Sequence, residues 1–317
     1  MLLSGKLSRS FALLPLLMLL LSGCQQNEDA QPKTIADVIL ENNEFTILRA
    51  AILHGGMSDA LKGANLTMFA PDDAAFRASG YADPAAITAL PADDVRRLVQ
   101  YHVLGNLVTL ADIPGGTNTP VATAGGTTAF ITNSNNQLFL NGSRIGQTAI
   151  SAANGIIHVI DRVLNPAAGN AMATAQARGL NLLVAAAMRA ASVNPGILTA
   201  LNGGGTGGTN APMITLFAPT DEAFRAAGYN EAGINGANPQ TLVNLLMYHA
   251  VPGVLFSHQF QSGQLATMLS NNRITVAAST TGVSVRGTKN TGLIPVRTAD
   301  IATNNGVMHI IDQVLLP

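Results

Sequence analysis

The 317-residue chain has one cysteine, no tryptophan and only 4% aromatic residues. A single thiol, Cys24, excludes an intramolecular disulfide and any zinc or iron–sulfur site built on several cysteines. Charge is also scarce: 11% of residues carry it, and 17 Lys+Arg stand against 18 Asp+Glu. Without a basic surplus there is little to displace counterions from a phosphate backbone, so nucleic acid is not an expected partner. Catalytic signatures are missing too. There is no Gly-x-Ser-x-Gly elbow, no Walker lysine loop, no His-x-His and no His-Glu-x-x-His. Gly203-x-Gly205-x-x-Gly208 matches a dinucleotide fingerprint in spacing, but the strand before it and the helix after it are lacking, so no cofactor is expected there or elsewhere. What the chain has in quantity is apolar aliphatic residues. Hydrophobic residues make up 47%, enough for a core of Ala, Val, Ile and Leu, and the length suggests about two domains.

The first residues read as an address. Lys6 and Arg9 precede the apolar run Phe11–Leu21, which is shorter than the ~20 residues a spanning helix needs and is broken by Pro15. The order Leu21-Ser22-Gly23-Cys24 resembles the lipobox of bacterial lipoproteins. The resemblance implies a signal peptide over 1–23, cleavage before Cys24 and lipidation of that thiol. Acyl chains at ~0.8 kcal/mol per buried CH2 would then anchor the chain to a membrane. Removing 1–23 leaves 15 basic and 18 acidic residues, a formal charge of −3. Residues 24–32 are a polar tether, and Gln25 after the cysteine resembles the pattern of lipoproteins sent to the outer membrane.

The remainder is written twice. Residues 67–81 return as residues 215–229 with 11 of 15 identities at a spacing of 148. Tyr101-His102 returns as Tyr248-His249, and the segment Asn154 to Leu164 returns as Asn305 to Leu315. A period near 150 residues is too long for a solenoid and fits tandem domains over 33–165 and 168–317. Each copy reads as helices first and strands second. Thr34 caps a helix over 35–42, and further helical patterns run over 44–54 and 179–191. Residues 66–69 form a buried strand, Asp72 and Thr220 cap short helices, and Gly80 and Gly228 end them in the left-handed conformation. Residues 128–131, 137–140 and 147–153 alternate as strands. Asn154-Gly155 and Asn305-Gly306 are expected as type I′ hairpin turns. The strand from Ile156 to Leu164, apolar on both faces, belongs in a sheet interior.

The Phe-Ala-Pro-x-Asp-x-Ala-Phe block, the Tyr-His pair and the closing Asn-Gly-x-x-His-x-Ile-Asp-x-Val-Leu strand resemble the fasciclin (FAS1) domain. The resemblance covers nearly all of the chain beyond residue 32. It implies an α+β fold in which each domain is a β-wedge or sandwich packed with several helices. It also implies a non-enzymatic cell-surface role, usually adhesion to other cells or to extracellular matrix; with the lipobox, the expectation is a lipid-anchored protein of the bacterial envelope that binds extracellular protein or polysaccharide. The alternative is an envelope hydrolase or small-ligand carrier with a site between the domains, for which His258, Asp300 and Tyr248 are the residues to watch.

The candidate site residues are histidines and their neighbours. The apolar stripes Val95, Leu98, Val99 and Leu242, Leu245, Leu246 continue at helical spacing to His102 and His249, which places both imidazoles toward the core. A buried imidazole must be hydrogen-bonded, so the expected role is structural. In animal relatives of the resembled family the Tyr101-His102 and Tyr248-His249 equivalents are implicated in integrin recognition, which makes the pairs candidate adhesion motifs as well. His158, Asp161, His309 and Asp312 lie on the closing strands, where a buried or edge polar group has to find partners, and are expected to define the fold. No metal site is expected. His258, which replaces Ala111 of the first copy, is expected on the surface.

Overall fold

The computed structural model describes residues 32–113, 116–134, 137–203, 213–279 and 282–317. The leader, Cys24 and most of the tether and glycine-rich stretch lie outside the described residues.

The first repeat opens with α1 (Ile35–Glu41) and α2 (Thr46–His54), followed by β1 (Leu66–Pro71), α3 (Asp73–Ala78), α4 (Pro84–Thr88) and α5 (Ala92–Tyr101). It continues with β2 (Val103–Leu104), β3 (Gly116–Ala122), β4 (Thr128–Ser134), β5 (Gln137–Leu140), β6 (Ser143–Ala152) and β7 (Gly155–Ile160). The second repeat runs through α6 (Ala171–Ala177), α7 (Asn181–Ala191), α8 (Gly196–Asn202), β8 (Ile214–Pro219), α9 (Asp221–Ala226), α10 (Glu231–Gly236), α11 (Pro239–His249) and β9 (Ala250–Pro252). It ends with β10 (Gly263–Ala266), β11 (Arg273–Ser279), β12 (Gly282–Arg286), β13 (Ile294–Thr303) and β14 (Gly306–Ile311).

Local chemistry explains the helix ends. Thr34 and Asp37 form a reciprocal capping box on α1, and the Asp72 carboxylate accepts the Ala75 N–H at 2.6 Å at the start of α3. Thr220 caps α9 through the Ala223 N–H at 3.2 Å. Gly80 at φ +95° and Gly228 at φ +84° follow α3 and α9, the left-handed residues anticipated after these helices.

Each repeat contains one seven-stranded sheet, in the orders β2-β1-β7-β6-β5-β4-β3 and β9-β8-β14-β13-β12-β11-β10. The two orders are the same topology. β1 pairs parallel with β7 and β8 with β14, while the other pairs are antiparallel. The closing strands therefore do lie in the sheet interior, but they stop at Ile160 and Ile311, short of the leucines. Two further strands, β2 and β3, complete the first sheet beyond those expected.

Alternate residues of β1 divide the core. Met68 and Ala70 pack with the helices, whereas Phe69 packs with Ile131 of β4, Leu140 of β5 and Tyr101. Strands distant in the sheet order thus meet across its concave side, and the Ala124 N–H closes onto the Val103 carbonyl at 2.7 Å. The sheet is a wedge with helices on its outer face. Leu216, Ala218 and Phe217 divide the second core in the same way.

The Asn-Gly dipeptides are not the hairpin turns. Ala152 pairs with Gly155 and Thr303 with Gly306, so the two-residue turns are Ala153-Asn154 and Asn304-Asn305, and each glycine is the first residue of its strand. Its lack of a side chain is what matters: a Cβ at Gly155 would collide with the Leu66 carbonyl, and one at Gly306 with the Ile214 carbonyl. Strands β1 and β8 can approach only because nothing stands there. The asparagines are staples. Asn154 accepts the Ile35 N–H at 2.8 Å and donates to the Leu61 and Gly63 carbonyls, both at 2.7 Å. Asn305 accepts from Ala171 at 2.9 Å and donates to Ala200 at 2.9 Å.

Candidate functional site

The Tyr-His pairs stand at the ends of α5 and α11, where each helix passes directly into an edge strand. Tyr101 and His102 are 1% and 0% exposed, Tyr248 and His249 0% and 1%. Consecutive residues point apart. His102 donates from Nδ1 to the Leu98 carbonyl at 2.8 Å and accepts the Leu164 N–H on Nε2 at 2.9 Å. His249 repeats this with Leu245 at 2.8 Å and Leu315 at 2.8 Å. These partners fix the neutral tautomer, since one nitrogen must donate and the other accept. Burial pushes both imidazoles down to about 4, opposed in part by the backbone carbonyl that each holds. Each histidine ties its helix to the segment following the closing strand.

The tyrosines reach the other way, into the wedge. Tyr101 Oη donates to the Thr128 carbonyl at 3.0 Å and accepts from Asn141 at 2.6 Å. Burial holds its phenol up at about 12. Tyr248 donates to the Arg273 carbonyl at 2.9 Å and accepts the Thr288 N–H at 2.9 Å. All polar atoms of the two pairs are therefore occupied inside their own repeats.

His158 and His309 are both 0% exposed and lie beside Phe69 and Phe217, with ring centroids 5.5 Å and 5.6 Å apart. Their Nε2 atoms donate to the Val108 and Leu255 carbonyls, each at 2.8 Å. The remaining nitrogens differ: His309 Nδ1 accepts the Asp300 N–H at 3.2 Å, while His158 Nδ1 is buried without a partner. Desolvation lowers both titrations, opposed at His309 by the Asp300 carboxylate and at both by the backbone carbonyl. Asp161 and Asp312 lie just beyond the closing strands and are exposed. Asp161 accepts from Ser143 Oγ at 2.9 Å and the Arg144 N–H at 2.8 Å, and so holds the β6 start. Asp312 instead pairs with Arg297 at 3.3 Å in a solvent-exposed contact, which contributes little.

His258 is half-buried rather than on the surface. It stacks on Phe139 of the first repeat at 3.8 Å and 13°, and both ring nitrogens are buried without a hydrogen-bond partner. Burial depresses its titration against the opposing pull of Asp300, and Arg162 depresses it further. This stack belongs to a joint between the repeats, which together occupy one compact unit over Lys33–Pro317. Phe130 joins Val254, Phe256 and Val307 in a small apolar cluster, and Asn118 Nδ2 donates to the Val254 carbonyl at 2.5 Å.

Asp300 is the polar centre of the joint. It accepts the Ser257 N–H at 2.6 Å and the Ser257 hydroxyl, and pairs with Arg162 of the first repeat at 3.2 Å. It does so at φ +63°, a left-handed conformation unusual for a residue other than glycine, where the β13 register slips. Gly142, at φ +81°, faces it; a Cβ there would lie 2.8 Å from Asp300 Oδ2. The adjoining cleft of about 250 Å3 is lined by Ser79, Asn141, Ser143, Arg162 and Asp300. Of the three residues proposed for a cleft between domains, Asp300 lines it, His258 seals the neighbouring contact, and Tyr248 is in the second core. Among the described residues no group of three or more His, Cys, Asp or Glu could hold a metal ion.

Sequence reasoning missed Phe139 and Arg162, whose partners lie in the other copy. It also missed Asp73 and Asp221, which accept the Ile47 and Leu182 N–H groups at 2.9 Å and 2.8 Å. Their invariance between the two copies was the available signal.

The fasciclin domain family model matches residues 43–166 and 185–317. Human periostin is 32% identical over 183 residues, 58% of this chain and 20% of periostin. Protein sll1483 of Synechocystis sp. is 40% identical over 106 residues, 33% of this chain and 55% of that protein. The matches thus span between about a fifth and about half of these relatives. A solved FAS1 domain pair from the insect cell adhesion molecule fasciclin I aligns at 16% identity and a TM-score of 0.40, over 86% of this chain and 96% of that one. Two matches to one domain model over most of the chain, each coinciding with one wedge of the same topology, establish that the chain belongs to the fasciclin domain family.

Proposed function

We propose that this protein is a lipid-anchored surface protein of the bacterial envelope, held in the outer membrane through Cys24, whose tandem fasciclin domains bind extracellular protein or polysaccharide. The observation that carries the reading is the duplication: two family domains joined in one unit present paired surfaces, and paired weak contacts multiply when both engage one target. The Tyr-His pairs serve the fold, because burial and complete internal hydrogen bonding leave them no face for a ligand. Binding falls instead to exposed positions repeated in both copies. Leu53 and Met188 occupy the same place on α2 and α7, and each is 58% exposed. A single exposed apolar side chain is ordinary, but its recurrence in both repeats makes this pair the first to substitute.

Immobilised matrix proteins and exopolysaccharides should retain the soluble 33–317 fragment, and Leu53→Asp with Met188→Asp should weaken retention more than either change alone. Retention by none of them, together with normal attachment and biofilm formation by a deletion strain, refutes the binding role. Cys24→Ala should move the protein from the membrane to the soluble fraction. Unchanged partition into detergent refutes the anchor.

A further inference from the structure

The second repeat holds a feature independent of the adhesion reading. Between α8, α11, β8 and β9 lies an apolar cavity of about 150 Å3. Its walls include Ile197, Leu201, Leu216, Leu246, Met247 and Met268, with Ala250 beside them and no charged residue among the described residues that line it. Asn194 stands among the lining residues, but its side-chain oxygen is already occupied by the Gly196 N–H at 3.0 Å. Ile197, Leu201, Leu246 and Ala250 are each only 4–5% exposed.

The duplication shows that the space is not imposed by the fold. The Ala124 N–H meets the Val103 carbonyl and the Met268 N–H meets the Ala250 carbonyl, both at 2.7 Å, which identifies Val103 with Ala250 and Ala124 with Met268. The first copy thus carries a larger aliphatic residue where the second carries alanine. It also has Gln100 where the second has Met247. Opening the wall while adding two methionines exchanges a filled position for a deformable apolar one.

We propose that this cavity is a binding site for a small uncharged apolar molecule of single-ring size. An apolar cavity of about 150 Å3 stays dry and accepts a benzene-sized guest, because water cannot replace its lost hydrogen bonds there whereas a hydrocarbon regains dispersion contacts with the walls. The lack of a cation in the lining selects against carboxylates such as fatty acids, whose head group would be desolvated without a partner.

Titration of the full-length protein with toluene tests this, read by the methionine methyl resonances. Toluene should shift the Met247 and Met268 signals saturably, leave that of Met68 in the first repeat in place, and raise the Tm. Octanoate should do neither. Ala250→Val, which restores the residue of the first copy, should abolish the toluene shifts; Ala200→Leu fills the same space from α8 if the valine variant folds poorly. The proposal is overturned if Met247 and Met268 do not respond up to the solubility of toluene, if all methionines move together, or if both filling variants still bind.

Discussion

A neutral imidazole that accepts one backbone hydrogen bond and donates another is a pH-sensitive fastener. His102 and His249 titrate at about 4 in the folded chain, below the ordinary 6.5, so the unfolded chain takes up these protons first. Their contribution is complete above pH 6.5 and declines as pH falls from there toward 4, by up to roughly 3 kcal/mol per histidine. Urea unfolding measured from pH 7 to pH 4 should show this decline. His249→Ala should cost about 3 kcal/mol at pH 7 by stranding the Leu315 N–H and the Leu245 carbonyl, and should flatten the pH profile. A variant with an unaltered profile would show that the acid sensitivity arises elsewhere. Gly155→Ala and Gly306→Ala should be more damaging still than an ordinary glycine replacement in a strand, because the new methyl must displace the backbone of β1 or β8. Failure to accumulate soluble protein is the expected readout, and a thermal midpoint within a few degrees of the parent would contradict the close approach.

Helices α2 and α7 start without a side-chain cap from the residue preceding them. Their first turns are satisfied instead by Asp73 and Asp221, the first residues of α3 and α9, which follow β1 and β8. A carboxylate at this end also meets the positive pole of the helix dipole. Asp73→Ala and Asp221→Ala should each cost about 1–2 kcal/mol, measurable by chemical denaturation, with Asp→Asn recovering part of the loss. The stability of one element is thus vested in its neighbour, which is why local propensity alone reads these helix starts poorly. The turn assignments failed for a related reason: Asn-Gly is a strong hairpin signal, yet here asparagine staples the repeat's opening helix and glycine admits a neighbouring strand.

The joint between repeats is built largely from differences between the copies. His258 stands where the first repeat has Ala111, and Asp300 where it has Ala149; Arg162 stands where the second has Gln313. Divergence after duplication supplied the contacts that unite the repeats. Asp300→Ala should uncouple them, replacing one unfolding transition by two in calorimetry; a single transition at a merely lower temperature would show that the Phe130–Phe256 cluster suffices. His258→Phe should preserve the stack on Phe139 while removing two buried, unpartnered nitrogens, and should stabilise the protein by about 1 kcal/mol. Loss of stability in that variant would indicate that the imidazole is satisfied in solution.

The order of helices and strands, the tandem duplication and the inward direction of His102 and His249 were legible from the sequence, because apolar periodicity and a repeated motif are properties of short segments read twice. The edge strands β2 and β3, the partners of the buried histidines and the placement of His258 were not. Strand β2 meets β1, His102 meets Leu164, His158 meets Val108 and His258 meets Phe139 only when segments distant in sequence are brought together, and such pairings are chosen by packing among many competing contacts rather than by the local preference of either residue. Tertiary structure alone also decided where volume is left unfilled, since a cavity is a property of several walls at once and no single residue encodes it.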